Sequence, residues 1–218
     1  RRGGARGQAG FQTFSRGEIT LYLKPTRELQ TFKEFSIEES GGALGRDLVR
    51  FAGASVLAEI VLAHGGPDPN PEVFARLTAG LRRIKNEEGR DVLPVVLGEG
   101  WMLVSALGYE PQLDPCVRCG RPLGGTGLGR FDFAAGGVCC PDCAVDVTGP
   151  RIGPGARKQL ACLLQGVQLE ALDRIQAHLQ LLHDFSRYHL GGSKPLQSFS
   201  FLASVMVNTE DAQARGVK

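Results

Sequence analysis

Apolar and polar positions alternate with a period of two from Phe11 to Ile37. Ile19, Leu21 and Leu23 interleave with Thr20, Tyr22 and Lys24, and Pro25-Thr26 marks a turn. A second run at Leu29, Thr31, Lys33 and Phe35 is rich in β-formers, so the segment predicts a hairpin. Two strands alone are marginal in water, which assigns the hairpin to a larger sheet. At Ser40-Gly41-Gly42 the period changes. Leu44, Leu48, Phe51, Leu57, Ile60 and Val61 recur at helical spacing, and His64-Gly65-Gly66 with Pro67 stops them. Asn70-Pro71-Glu72 opens a second helix whose stripe is Val73, Phe74, Leu77, Leu81 and Ile84, with Gly89 past its end. A more fully buried third segment runs from about Val92 to Leu107. Residues 112–150 lose periodicity. Helical spacing returns after Pro154 in Leu160, Leu163 and Leu164, and again from Leu169 to Leu190. Pro195 opens a last segment over Leu196–Met206, and the polar tail at 207–218 is expected to be disordered. The chain is therefore α+β and carries no internal repeat.

Composition sharpens this in two places. The 218 residues, 42% hydrophobic and 22% charged, suit one or two globular domains. Thirty glycines are about twice the usual share and predict tight turns with one loop-rich module. No apolar run approaches the about 18 residues that a membrane-spanning helix needs. The opening Arg1-Arg2-Gly3-Gly4-Ala5-Arg6 has no apolar region behind it, so no secretory signal is read, and a start without methionine reads as a processed product or fragment.

Five of the six cysteines fall between Cys116 and Cys143. Cys116-Val-Arg-Cys119 and Cys140-Pro-Asp-Cys143 are two C-x-x-C pairs, and two intervening residues let both thiolates of a pair converge on one ion. Two such knuckles supply the four sulfurs of a structural zinc site, with Pro115, Gly120 and Gly136-Gly137 at the turns. An iron–sulfur cluster or disulfides remain open at this point, although the absent secretion signal favours a reducing compartment. Cys139 is a spare neighbour outside the two-residue spacing, and Cys162 reads as core. Four thiolates close the tetrahedron and leave no position for a water, so the metal holds a fold together and does not catalyse.

A catalytic constellation is not found. His178, His183 and His189 are five and six residues apart, so none shares an i, i+4 metal-binding face; they are read as lining the polar side of a helix. Glu38-Glu39 and Glu87-Glu88 read as solvated charge at element ends. Gly125-Thr126-Gly127-Leu128-Gly129 follows no strand and lacks the lysine of a phosphate loop. The chain is read as a non-enzyme.

Net charge is only +2, but residues 1–33 hold Arg1, Arg2, Arg6, Arg16, Lys24, Arg27 and Lys33 against Glu18 and Glu28. A basic, glycine-spaced loop beside a sheet suits a phosphate backbone, which makes these seven the candidate DNA contacts. Phe11, Phe14 and Tyr22 could stack bases, with core packing of the two phenylalanines as the alternative. Arg82, Arg83 and Lys85 form a second cluster that also suits a helix C-terminus.

The order of parts resembles the bacterial recombination mediator RecO. Arg2-Gly3-Gly4-Ala5-Arg6-Gly7, the Leu-Tyr strand and Arg27-Glu28-Leu29-Gln30 look like the second half of that family's N-terminal OB barrel. Ala58-Glu59-Ile60 looks like the start of its helical domain. Leu107-Gly108-Tyr109-Glu110-Pro111, the two C-x-x-C pairs and Gly136-Gly137-Val138-Cys139 are similar to its zinc ribbon, and Tyr188-His189-Leu190-Gly191-Gly192 through Leu202 to its closing helices. The family has roughly three strands ahead of the basic loop, out of about five in an OB barrel. The resemblance thus implies a partial OB fold at 1–38, a helical domain at 39–111 and 151–206, and an inserted ribbon at 112–150. It also implies a cytoplasmic, nucleoid-associated factor that binds single- and double-stranded DNA, anneals strands, pairs with RecR, and contacts the acidic tail of single-strand-binding protein. The other class of reading is a zinc-stabilised scaffold that binds only proteins.

Overall fold

A computed structural model describes residues 12–64, 68–88, 92–125, 127–167, 169, 171–190 and 195–214. Among these residues it shows a mixed α+β chain with two small sheets and six α-helices. The N-terminal alternation becomes β1 (Arg16–Tyr22) and β2 (Thr31–Glu39), paired antiparallel. Among the described residues this sheet has two strands and does not close. It leaves Ile19, Leu21, Tyr22, Leu23, Leu29 and Phe32 exposed.

The helical body is built around α3 (Leu93–Ala106), which is buried continuously from Pro94 to Val104. Against it pack α1 (Leu48–His64), α2 (Pro71–Asn86), α4 (Pro154–Leu164) and α5 (Ile175–His189), while α6 (Gln197–Ala214) packs on α1. Each boundary has a local chemical cause. Asp47 accepts the Arg50 amide at 2.8 Å to start α1, and Asn70 accepts the Val73 amide at 3.1 Å to start α2, with Pro71 in its first turn. The Arg50 guanidinium donates to the carbonyls of Ile84 and Glu87 and so satisfies the end of α2. Close approach of α1 to α3 requires Gly53, where a Cβ would come within 2.4 Å of Val96 Cγ2.

Three departures from the periodicity have physical reasons. α5 begins at Ile175, six residues later than the apolar spacing suggests, after Arg174 takes a left-handed backbone with φ of 52°. His178 and His189, read as polar-side residues, are not: His178 is 4% exposed beside Gln159, and His189 sits among Tyr109, Phe185 and Tyr188. Burial pushes both imidazoles below their ordinary range. The tail expected to be disordered from 207 is helical through Ala214, because extending a helix already docked on α1 costs little once its nucleus exists.

The start of α6 has a distant cap. Glu59 of α1 accepts the Gln197 and Ser198 amides at 2.8 Å each, placing a carboxylate on the positive end of the helix. Glu59→Ala is expected to cost about 1–2 kcal/mol, and thermal melts of the two proteins measure it. An unchanged Tm would exclude the cap as a stabilising contact.

The sheet is fastened to α2 by charge. Glu39 takes Arg82 at 2.9 Å and Lys85 at 2.6 Å, so it is not merely solvated, and the Arg82–Lys85 cluster is partly neutralised. Hydrogen bonds from Arg82 and then Lys85 hold the Glu39 carboxyl down at about 2, below the ordinary 4.5. A depressed folded-state value means the fastening is fully present above pH 4.5 and is lost as pH falls toward 2. Glu39→Gln is therefore expected to melt below the parent at pH 7, with the gap closing through that window. A gap independent of pH would contradict the ion pairs.

Candidate metal centre and nucleic-acid surface

The aperiodic stretch folds as a ribbon of three short strands, β3 (Gly129–Asp132), β4 (Gly137–Cys139) and β5 (Arg151–Ile152), in the order β4-β3-β5. Each C-x-x-C pair sits in a backbone knuckle. The Cys116 amide donates to the Arg121 carbonyl at 2.9 Å and the Gly120 amide to the Cys116 carbonyl at 2.9 Å, and Cys143 N donates to the Cys140 carbonyl at 3.1 Å. The two halves are joined by Val117 N to Val138 O at 3.0 Å and Gln112 N to Gly136 O at 2.9 Å. Gly137 permits this: any Cβ there would lie 2.2 Å from the Gln112 carbonyl oxygen.

These bonds bring the Sγ atoms of Cys116, Cys119, Cys140 and Cys143 within 4.8 Å of one another. Thiolates about 2.3 Å from a tetrahedral metal are about 3.8 Å apart, and Cys119 and Cys140 are separated by 3.9 Å. The quartet could hold one metal ion. All six cysteines are unbridged. Cys139 lies outside the group, fully buried beside Asp132, with its thiol pushed up to about 11 first by burial and then by that carboxylate.

The electrostatics of the quartet point the same way. Arg121 donates to the sulfurs of Cys119 at 3.5 Å and Cys140 at 3.7 Å, and also binds Asp142 at 2.7 Å. Its side-chain and then its backbone hydrogen bond hold the Cys119 thiol at about 6. Burial pushes Cys116 up, but amides of Cys140, Arg118 and Cys119 outweigh it and leave the thiol below its ordinary value. Cys143 is pushed up to about 12 by the neighbouring sulfurs of Cys140 and Cys119. Several thiolates in one shell repel one another, and a cation supplies the missing positive charge.

The ribbon is seated on the helices through aromatic rings. Phe131 meets Phe185 of α5 edge-on at 5.8 Å, and Phe133 stacks on Tyr188 at 6.3 Å. The buried Arg157 of α4 donates to the carbonyls of Gly124 at 2.7 Å and Gly127 at 3.0 Å.

Of the seven expected DNA contacts, Arg1, Arg2 and Arg6 lie outside the described residues, as does Phe11. Arg16 pairs with Glu38 at 3.1 Å across the sheet, and Lys33 with Glu34 at 3.7 Å. Lys24 and Arg27 are exposed in the connection between β1 and β2. Gln30 orders that turn, accepting the Lys24 amide at 2.7 Å and donating to the Arg27 carbonyl at 2.6 Å. A charge count over residues 1–33 leaves out Glu34, Glu38 and Glu39. Over residues 12–40 four bases meet five acids, so the basic excess belongs to the first residues of the chain. Phe14 packs edge-on against Phe51 at 5.5 Å and is core, while Tyr22 is 56% exposed. Phe32, exposed and paired with Leu21, is an aromatic candidate whose β alternation was readable but unused. Arg83 points inward to the buried Glu99 at 2.5 Å.

The family model described as "Recombination protein O C terminal" matches residues 45–198, which contain the first five helices and the whole ribbon. The chain belongs to the RecO family. A DNA repair protein RecO of Desulfatibacillum aliphaticivorans is 31% identical over 207 residues, covering 88% of this chain and 78% of its own length. The protein of that name from Synechococcus elongatus is 37% identical over 206 residues, covering 85% and 75%. That of Desulfitobacterium hafniense is 32% identical over 177 residues, covering 79% of this chain and 62% of its own length. Membership of the RecO family gives the chain a role in DNA repair and recombination, and no helix among the described residues is long and apolar enough to cross a membrane. The family model takes in the ribbon and the first five helices but not β1 and β2, which precede its first matched residue.

Proposed function

We propose that this chain is a recombination mediator that binds single- and double-stranded DNA and promotes annealing of complementary strands. With RecR, it helps a recombinase load onto DNA coated by single-strand-binding protein, whose acidic tail it contacts. The match of the family model to residues 45–198 carries this reading. In it, Cys116, Cys119, Cys140 and Cys143 hold one zinc ion, which supplies a cross-link between the two knuckles and no open coordination position. β1 and β2 belong to an OB-type sheet, and Lys24, Arg27, Arg16 and Lys33 contact phosphates together with Arg1, Arg2 and Arg6. The turn bearing Lys24 and Arg27, ordered by Gln30 and leaving both side chains exposed without an ion pair among the described residues, supports their place in that set.

A second reading, a scaffold that binds only proteins, is favoured by one observation: the acids of the described sheet offset its bases while its apolar side chains stay exposed. Fluorescence anisotropy with labelled single-stranded oligonucleotide separates the two. Salt-sensitive binding supports the mediator. No binding at low salt supports the scaffold.

A further inference from the structure

Among the described residues, the ribbon carries two arginines whose charge no carboxylate answers. Arg130 and Arg151 stand directly opposite each other in the β3–β5 pair. Opposed residues of an antiparallel pair project to the same face, where like charges are destabilising. The ribbon's other two arginines are both engaged: Arg118 is held by Asp132 at 2.8 Å and by Asp146 at 2.5 Å, and Arg121 by Asp142 at 2.7 Å; the neighbouring Arg157 of α4 is buried against carbonyls. The one carboxylate further along the same face of β3, Asp132, also accepts the Ala134 and Ala135 amides. Among the described residues neither Arg130 nor Arg151 has an acidic partner. Arg130 is oriented by donating to the Gly149 carbonyl at 3.0 Å, which leaves the rest of its fork available.

Both side chains line a cleft of about 280 Å³ together with Leu128, Gly129, Pro141 and Ala144. Pro141 and Ala144 belong to the second metal knuckle, so the floor of the cleft is set by the cysteine quartet. We propose that this cleft binds a phosphate of single-stranded DNA between Arg130 and Arg151. Two guanidinium forks converging on one anion satisfy both the charge repulsion and the geometry that phosphate oxygens require. The inference rests on the DNA-binding reading above. It makes the ribbon a second point of contact with the strand, away from the Lys24–Arg27 turn.

The test is anisotropy with a labelled 30-nucleotide single strand on the full chain, titrated at several salt concentrations, for the parent, Arg151→Glu and Lys24→Glu/Arg27→Glu. The Arg151 side chain is exposed and has no hydrogen-bond or ion-pair partner among the described residues, and metal content of the variant is measured to confirm an intact ribbon. Arg151→Glu is expected to weaken binding about tenfold and to flatten the slope of log K against log salt by about 0.7, the loss of one phosphate contact. Affinity and slope equal to the parent's, with the Lys24→Glu/Arg27→Glu protein weakened, overturn the cleft and leave the mediator reading standing. A parent that binds no strand at all overturns both. Equal losses for inorganic phosphate displacement and for DNA would keep the cleft as a phosphate site on the strand's path. Displacement of phosphate without any effect on DNA would overturn it.

Discussion

Cys116→Ser abolishes metal binding and unfolds the ribbon while the helical body persists. Native mass spectrometry is expected to read one metal ion per parent chain and none in the variant, and chelation of the parent should reproduce the variant. The reason is the small amount of other structure at 112–152. Its strands are four, three and two residues long, and its buried side chains are few, so cross-linking by metal supplies most of the local stability. Structural zinc sites in small domains contribute about 10–16 kcal/mol at neutral pH. The body has its own core around α3 and should keep its helical circular dichroism. Hydrogen exchange localises the loss, with amides of Val117 and Val138 exposed in the variant and those of α3 protected. Cys139→Ser is the internal control, since that sulfur neighbours Cys140 in sequence but stands outside the quartet. It should retain metal. Because each ligand must lose its proton, and Cys143 in particular is held up at about 12 without metal, acidification should also release the ion. A Cys116→Ser protein that keeps one metal and a protected ribbon would sink the centre.

Lys24→Glu/Arg27→Glu weakens binding to single-stranded DNA by at least about tenfold at low salt and flattens the salt dependence by about 1.4 units of slope. Both side chains leave an ordered turn into solvent with no carboxylate partner among the described residues, so a phosphate gains their full charge. Arg16→Ala should cost less, because Arg16 must first give up Glu38. If reversing both charges leaves affinity unchanged at every salt concentration, the strand does not cross this turn.

How much was legible varies with the range of the interaction. The helices at 48–64, 71–86 and 93–106 follow from period, caps and prolines within each segment, as does the hairpin pairing of β1 and β2. The cysteine quartet of the candidate metal centre was equally plain, because a two-residue spacing fixes each pair of sulfurs locally and only their meeting needed the fold. The cap of α6 was not legible: Glu59 lies 138 positions before Gln197, and nothing near either residue announces the other. The charge of the N-terminal sheet was misjudged for the same reason. Glu38 and Glu39 follow the counted window in sequence but face Arg16, Arg82 and Lys85 in space.

What the chain's order of residues settled alone was the hairpin, the first three helices and the four cysteines of the candidate metal centre, since periodicity, capping and the C-x-x-C spacing act over a few positions. What the tertiary structure decided was which charges are answered and which are not. Arg130 and Arg151 are 21 positions apart and unremarkable as text, and become a paired cationic cleft only when β3 and β5 align them. That is because electrostatic compensation depends on distance through space, which a linear sequence does not record.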